Sequence, residues 1–462
     1  MKKYINTKNL ILVVALLFSS LIISCSDFLN DPDIQDDPNR ATTVSADLLF
    51  NSVQVRQFFR YEGHLSRTTS IWMQQLGGVD RQSEALGKYV FTENEWNGEM
   101  SGIYTGGALI DIRNIRAEAK AKGWKTYEGI AKFWEAFVMG TSASLWGNLP
   151  YSEAVSDVKT PQLDGQKAIY DACLALLEEA ILDLGAATTG YKPPNDHVYA
   201  GNNAKWIEAA NTLKARYLLH WAEVNSGNYA LALAAIQKGI SANANNFKTK
   251  HTISETESNA IYQFWRQRDS YIRAGKYMVD LLKSRSDPRL DKYFQPGIGS
   301  LAGQMVGAAP GQALTDASNL SAAIRANSFT TDIMSFSEAN LIWAECAYKA
   351  GDATTALTKL NAARRAEESK WSLAANSLGV ASGLTGTALI DAIMQEKYIA
   401  LFLNIEAYND WKRTNRQALT PFTGGQIPRR ILYGDGERIT NPNIPTPSQQ
   451  PARNANDPGD GY

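Results

Sequence analysis

Carboxylates held close together are the residues that could support acid–base catalysis, and one such pair stands near the C-terminus. Glu406 and Asp410 are four residues apart, so they fall on one face of a helix. A glycosidase needs two carboxylates that face each other across a cleft, and it draws them from separate elements. Arg413 follows Asp410 by three residues, and Lys397 precedes Glu406 by nine. This pattern favours a solvated or structural ion-pair network over a catalytic pair.

Other residues that could do chemistry lack the required spacing. The histidines are scattered without metal-ligand spacing: His64, His197, His220 and His251. The chain has neither a Gly-rich phosphate loop nor a Gly-x-Ser-x-Gly turn. Cys173 and Cys346 fall within apolar helical patterns, where cysteine is commonly a small buried hydrophobe. We therefore expect no enzyme activity, no metal site, no cofactor and no disulfide framework.

Aromatic residues in the less regular segments are the candidate ligand contacts. The apolar C–H face of a sugar stacks on a flat ring, while amide and guanidinium groups bind its hydroxyls. We predict that Trp72, Trp96, Trp265 and Arg266 bind the ligand, with the three rings exposed and converging on one face. The alternative is that each ring packs under a long loop. The tryptophans of helical segments are predicted to be structural: Trp134, Trp146, Trp221, Trp343 and Trp411.

Helices must position these residues, because apolar residues recur at three- and four-residue intervals and no segment alternates as half-buried strands do. The clear helical segments are residues 46–59, 109–122, 127–146, 167–184, 206–224, 229–240, 274–284, 338–349, 354–368 and 387–412. The sequence therefore predicts an all-α fold.

Two helix pairs resemble each other. Residues 227–233 align with residues 351–357, and each segment closely follows the end of a helix. In the second pair, small residues stand where tetratricopeptide repeats need close helix packing and a tight turn: Ala344, Gly351, Ala356 and Ala363. One pair cannot bury its own apolar face, so we expect about four tetratricopeptide-like units stacked as a short solenoid.

Long irregular insertions interrupt the helices at about residues 60–108 and 241–335. Both are polar and glycine-containing, and such segments on a rigid scaffold are where binding sites are commonly built. From about residue 420 onward, seven prolines and little apolar content predict an extended tail, wrapped or loose. We expect residues 46–462 to form a single domain.

The N-terminus predicts export and lipidation. Three lysines precede an apolar run that ends at Ile23; it is too short to span a bilayer and is typical of a signal peptide, residues 1–24. Ser24-Cys25 resembles the lipobox at which bacterial lipoproteins are cleaved and acylated. Cys25 is therefore the predicted lipidation site, and residues 25–45 are the predicted tether. Loss of residues 1–24 moves the formal net charge from −1 to −4, which implies no nucleic-acid partner.

Several separated segments together resemble the SusD/RagB family, the surface lipoproteins that partner TonB-dependent transporters in Bacteroidetes. They occur in the family's order at residues 37–39, 146–154, 206–216, 287–290, 338–345, 395–402 and 427–430. The acidic stretch at residues 26–31 is similar to those that accompany surface export in these lipoproteins. The resemblance covers essentially the whole mature chain.

This resemblance implies a SusD-like lipoprotein of the outer membrane that faces outward and closes as a lid over a SusC-like TonB-dependent transporter. Its implied ligand is an oligosaccharide, with a peptide-binding variant of the same role as the alternative. A surface glycosidase or peptidase is a rival from another class, and it would form product. A tetratricopeptide scaffold for periplasmic assembly is a further rival; it would bind a protein other than a barrel and no sugar.

Overall fold

Helices make up most of the structure, a computed structural model that describes residues 44–186 and 190–459. The described residues from Ala46 onward form one compact unit. None of the described helices combines the length and the apolar composition that a membrane crossing requires. The predicted signal peptide and Cys25 lie outside the described residues.

The helices, numbered in chain order, are α1 Ala46–Arg60, α2 Ser66–Trp72, α3 Arg81–Gly87, α4 Asn97–Tyr104, α5 Leu109–Ala121, α6 Lys125–Trp146, α7 Gln166–Ala186, α8 Asn203–His220, α9 Asn228–Ile236, α10 Ala260–Gln267, α11 Lys276–Ser284, α12 Leu290–Tyr293, α13 Phe336–Lys349, α14 Ala353–Lys370, α15 Gly386–Ala400, α16 Glu406–Thr414 and α17 Asp435–Thr440. The strands are β1 Leu76–Gly78, β2 Phe247–Lys248, β3 Ile272–Ala274, β4 Phe294–Gln295, β5 Asn319–Leu320 and β6 Asp332–Met334. They pair antiparallel as β1–β3, β2–β6 and β4–β5. The predicted helical scaffold is confirmed, whereas these short strands were not predicted.

The long helices pack against one another in chain order. α1 contacts α5. From α5 to α9, each helix contacts the one that follows it in the chain. α9 contacts α13, which packs on both α14 and α15. α6 is buried along nearly its whole length, so it is central to the scaffold. Gly129 brings α7 against it, because a Cβ there would lie 2.8 Å from Leu184 Cγ.

The repeated sequence pattern corresponds to the helix pairs α8–α9 and α13–α14. In the second pair the predicted small residues Ala344, Ala356 and Ala363 are fully buried in one cluster with side chains of α15. Gly351 turns the chain with φ +82°, and the next residue, Asp352, caps α14 by accepting a hydrogen bond from Thr355 N at 2.9 Å. The close helix approach and tight turn expected of a tetratricopeptide-like unit are both present.

The segment predicted as one helix over residues 387–412 is instead two helices, α15 and α16. Between them Leu403 has φ +60°. Its backbone N–H donates to Gln75 Oε1 at 3.2 Å, and Asn404 Oδ1 accepts a hydrogen bond from Tyr61 Oη at 2.6 Å. Both partner side chains belong to the first insertion. They satisfy the backbone N–H of Leu403 and the side chain of Asn404 at the point where the helix is interrupted.

The two insertions and the tail are joined to each other and to the scaffold. β1 of the first insertion pairs with β3 of the second. Trp146 Nε1, at the end of α6, donates to Leu432 O of the tail at 2.8 Å. Farther along, Asn454 Nδ2 donates to Ser144 O at 2.8 Å. The first insertion is more regular than expected, since it contains α2, α3 and α4.

Candidate ligand-binding cleft

The predicted exposure of Trp72 and Trp96 is wrong, because both rings are fully buried. Their centroids lie 6.3 Å apart, so the chain does bring these two rings together. Tyr408 of α16 packs on Trp72 with a centroid distance of 5.6 Å, and Trp146 of α6 packs edge-on against Trp96 at 6.5 Å. Helices from distant parts of the chain therefore enclose the first insertion, and these indoles belong to the core.

The predicted exposure of Trp265 is also wrong, since this ring is 3% exposed. Its Nε1 donates to Asn319 Oδ1 at 2.8 Å, which fixes α10 to β5. Arg266, the next residue, is exposed and forms an ion pair with Glu255. A role for Arg266 in ligand binding stays a prediction, whereas the three predicted indoles have no ring face open to a ligand.

An open cleft of about 390 Å³ lies between α1, residues 250–258 and α10. Its apolar floor comes from Val55, Phe58 and Phe59 of α1, and the Phe59 ring is 47% exposed. Its rim is polar: Asn51, His197, Lys250, Thr252, Thr256, Glu257, Ser258 and Gln263. A flat exposed ring surrounded by amides and hydroxyls is the arrangement that binds a polyol.

The exposed face of α1 explains how this cleft forms. Ala46, Phe50 and Val53 are buried and define the core face of the helix. Val55 and Phe59 lie one turn apart on the opposite face, where helices of soluble proteins commonly carry polar residues. Sequence reasoning missed these residues, although apolar side chains on the outer face of an amphipathic helix were a usable signal.

A buried carboxylate fixes the loop wall of the cleft to α1. Residues Tyr61–Leu65 form one π-helical turn directly after α1, and such turns are frequent at functional sites. Glu62 in this turn is fully buried and accepts hydrogen bonds from Ala260 N at 3.1 Å and Asn259 Nδ2 at 3.0 Å. His251 Nε2 lies 2.9 Å from the same carboxylate. The start of α10 and the segment before it are thus held in place.

Both ring nitrogens of His251 face acceptors. Nε2 faces the Glu62 carboxylate, and Nδ1 lies 3.2 Å from Glu257 O. The ring therefore lies between the π-helical turn and the segment before α10.

The lysine and the glutamate of the cleft rim carry charges of opposite sign. Burial lowers the pKa of His197, and the nearby charge of Lys250 lowers it further, so this imidazole is neutral at pH 7. His197 Nε2 lies 2.7 Å from Asn51 Oδ1. Lys250 and Glu257 are of opposite sign, and Glu257 accepts a hydrogen bond from Thr252 Oγ1 at 2.7 Å. The cleft itself therefore suits an uncharged, hydroxyl-rich ligand.

The carboxylate pair considered for catalysis lies inside the scaffold, as the ion-pair interpretation requires. Glu406 Oε2 lies 2.7 Å from His220 Nε2, and Asp410 pairs with Arg413 at 2.7 Å and with Lys397 at 2.9 Å. Both carboxylates are almost fully buried, and neither lines the cleft. Within residues 44–186 and 190–459, no group of His, Cys, Asp and Glu side chains is placed to hold a metal ion.

Solved structures similar to this chain share its fold. One described as a chitin-binding protein is 22% identical, with a TM-score of 0.74 over 87% of this chain and 95% of that chain. A SusD/RagB family protein from Bacteroides thetaiotaomicron is likewise 22% identical, with a TM-score of 0.74 over 87% and 95%. A chitin-binding SusD homolog from Flavobacterium johnsoniae is 19% identical, with a TM-score of 0.75 over 88% and 97%.

Sequence comparison gives the family. No curated protein matches this chain. A SusD-like family model, described as starch-binding associating with outer membrane, matches residues 38–434. The match spans most of the chain, and the helical scaffold agrees with that of the similar structures. The protein therefore belongs to the SusD-like family.

Proposed function

We propose that the protein captures an oligosaccharide at the outer-membrane surface, in the cleft beside Phe59, and delivers it to a SusC-like TonB-dependent transporter. The observation that carries this proposal is the half-exposed Phe59 ring on the floor of a 390 Å³ cleft with a polar rim. A pyranose can stack its C–H face on this ring while its hydroxyls meet Asn51, Gln263 and Thr252. Family membership supports the same role, because the family is described as starch-binding and associated with the outer membrane.

A glycan ligand is favoured over a peptide. Two similar structures are described as chitin-binding, and the half-exposed Phe59 ring among amides and hydroxyls is suited to stacking against a pyranose. Glu257 is the one carboxylate residue of the rim among the described residues. Because glycoside hydrolysis uses two facing carboxyl groups, we propose binding without turnover.

Calorimetric titration with starch-derived and chitin-derived oligosaccharides, and with short peptides, tests the proposal. Phe59→Ala removes the stacking ring, so it should weaken oligosaccharide binding by about 1 to 3 kcal/mol, roughly five- to 150-fold. Ile253→Ala is the matched control, because Ile253 is an 80% exposed apolar residue of the same loop that does not line the cleft. Equal losses in both variants, binding of peptides alone, or product formation would contradict the proposal.

The transporter partner is tested in native membranes. We expect this protein to co-purify with a large barrel protein in mild detergent, and deletion of its gene to abolish growth on one glycan. A stable complex with a different, non-barrel protein, with no affinity for sugars, would support the scaffold role instead. Recovery as a barrel-free monomer would count against delivery to a transporter.

A further inference from the structure

Two arginines on the two insertions share one aromatic ring. The guanidinium carbon of Arg67, on α2, lies 4.1 Å from the centroid of the Phe264 ring. The guanidinium carbon of Arg268, just after α10, lies 5.6 Å from the same centroid. The two positive charges are therefore no farther apart than the sum of these distances. Both side chains are half-buried.

Neither guanidinium forms an ion pair with any described residue, although the acids around them do. Glu99 faces Arg60 at 3.6 Å and His64 at 3.9 Å. Asp269, next to Arg268, pairs instead with Arg325 at 3.2 Å. Arg268 donates to Gln267 Oε1 at 3.2 Å, its one side-chain hydrogen bond within the described chain. The nearby carboxylates thus serve other cations and leave this pair without one.

The local electrostatics penalise two charges held in this way. Burial lowers the pKa of Arg67 to about 10; Glu99 acts against this shift, and the charge of Arg268 adds to it. His64 adds no compensating or further charge, because burial and Arg67 lower its pKa to about 3. A guanidinium has five donors in a planar fork that matches an oxyanion, so an anion placed here would satisfy both charge and hydrogen bonding.

This pair lies beside the cleft. Phe59 Cδ1 and Arg67 Nη1 lie 3.9 Å and 4.0 Å from the point that a Cβ of Gly63 would occupy. Gln263 of α10 lines the cleft, and the guanidinium groups of both arginines lie near the ring of the next residue, Phe264. A ligand stacked on Phe59 can therefore extend over the π-helical turn toward Arg67.

We propose that Arg67 and Arg268 form an anion-binding subsite next to the cleft, and that the ligand is an acidic glycan whose carboxylate or sulfate group lies between the two guanidinium groups. The glycan part of this inference rests on the proposed function. The anion subsite is independent of it, because it follows from the unpaired arginines.

The experiment compares acidic oligosaccharides with a neutral one. A short oligogalacturonate, its fully methyl-esterified form and a sulfated galacto-oligosaccharide are titrated into the wild type, Arg67→Gln, Arg268→Gln and the control Lys276→Gln. Lys276 is exposed and ion-paired with Asp280, so its loss removes one positive charge without touching the subsite. We expect the wild type to prefer at least one charged probe over the esterified form by about tenfold or more, the worth of one charge-assisted hydrogen bond. The carboxylate and sulfate arms identify the group.

The preference should disappear in Arg67→Gln and Arg268→Gln and persist in Lys276→Gln, with unfolding midpoints confirming that each variant is folded. Equal binding of charged and neutral probes by the wild type overturns the subsite while leaving glycan capture intact. If Lys276→Gln loses the preference for charged probes as fully as the two arginine variants do, the subsite is also overturned. If none of these probes binds, inorganic sulfate decides: stabilisation of the wild type by sulfate that is absent from Arg67→Gln supports the subsite, and no such stabilisation overturns it.

Discussion

At the scale of single residues, aromatic rings divide into those that hold the core and those that can meet a ligand. Trp96 is fully buried and stacks on His64 with a centroid distance of 4.8 Å. Phe91 meets its edge at 6.1 Å. Phe59, on the outer face of α1, keeps nearly half of its surface exposed. Ring type therefore does not decide the role of an aromatic residue; its neighbours do.

Trp96→Ala should lower the free energy of unfolding by about 3 to 5 kcal/mol, as expected for removal of a large buried ring. Phe59→Ala should change it far less, because an exposed ring contributes little burial. Denaturant unfolding followed by circular dichroism measures both values. An unchanged midpoint for Trp96→Ala, combined with lost oligosaccharide affinity, would return this ring to the ligand site.

At the scale of elements, the long helices could be predicted from sequence and their interruptions could not. Apolar periodicity reports which side chains face a core, so it predicted α5, α6, α7 and α13 with small errors at their ends. The break between α15 and α16 depends on Asn404, which bonds a side chain 343 residues earlier in the chain. No local pattern carries such a contact.

The ligand cleft was missed for the same reason. Its outer helix, α1, was predicted, yet the opposing wall is placed by Glu62, which holds a segment that follows 197 residues later. Irregular sequence around Trp72 and Trp96 suggested a surface, whereas packing of α16 on α2 encloses them. A site formed by long-range contacts leaves only weak local signals, such as Phe59 on the polar face of its helix.

α16 is held to the scaffold by carboxylates that should make the fold sensitive to acid. Burial would raise the pKa of Glu406, but the charges of Arg216 and His220 outweigh burial and lower it to about 2. Burial would likewise raise the pKa of Glu345, but the charges of Arg413 and Lys397 outweigh burial and lower it to about 2. A carboxyl group whose pKa is lower in the folded than in the unfolded chain stabilises the fold at pH values above its ordinary pKa. That contribution is lost as the pH falls toward the lowered pKa.

The free energy of unfolding should therefore fall as the pH drops from the ordinary value of 4.5 toward about 2. Glu406→Gln should be about 3 to 5 kcal/mol less stable at neutral pH, because Arg216 and His220 lose a buried partner, and its acid dependence should be flatter. Asp157→Asn, at an exposed position, is the control. Urea unfolding at a series of pH values measures both, and identical pH profiles for the wild type and Glu406→Gln would contradict this assignment.

At the scale of the whole molecule, the segments outside the repeats form contacts with one another and with the scaffold. The insertions pair with each other through β1 and β3. In the tail, Arg429 pairs with Asp457 at 2.6 Å, and Tyr433 Oη donates to Asn148 O at 2.6 Å. The cleft and the arginine pair both lie where the two insertions meet beside α1. The scaffold thus positions a binding region that no repeat supplies by itself.

Attachment to the membrane should be separable from this folded unit. The compact unit begins at Ala46, and Cys25 precedes it by 21 residues in the chain. Several acyl chains on one cysteine, each adding about 0.8 kcal/mol per buried CH₂, would hold the protein firmly at a membrane. Cys25→Ala should therefore release the protein from the membrane fraction or leave its signal peptide uncleaved, with an unchanged unfolding midpoint and unchanged oligosaccharide affinity. Fractionation with a metabolic lipid label measures this, and a wild type that carries no acyl group yet stays with the membrane as firmly as Cys25→Ala would refute lipid anchoring.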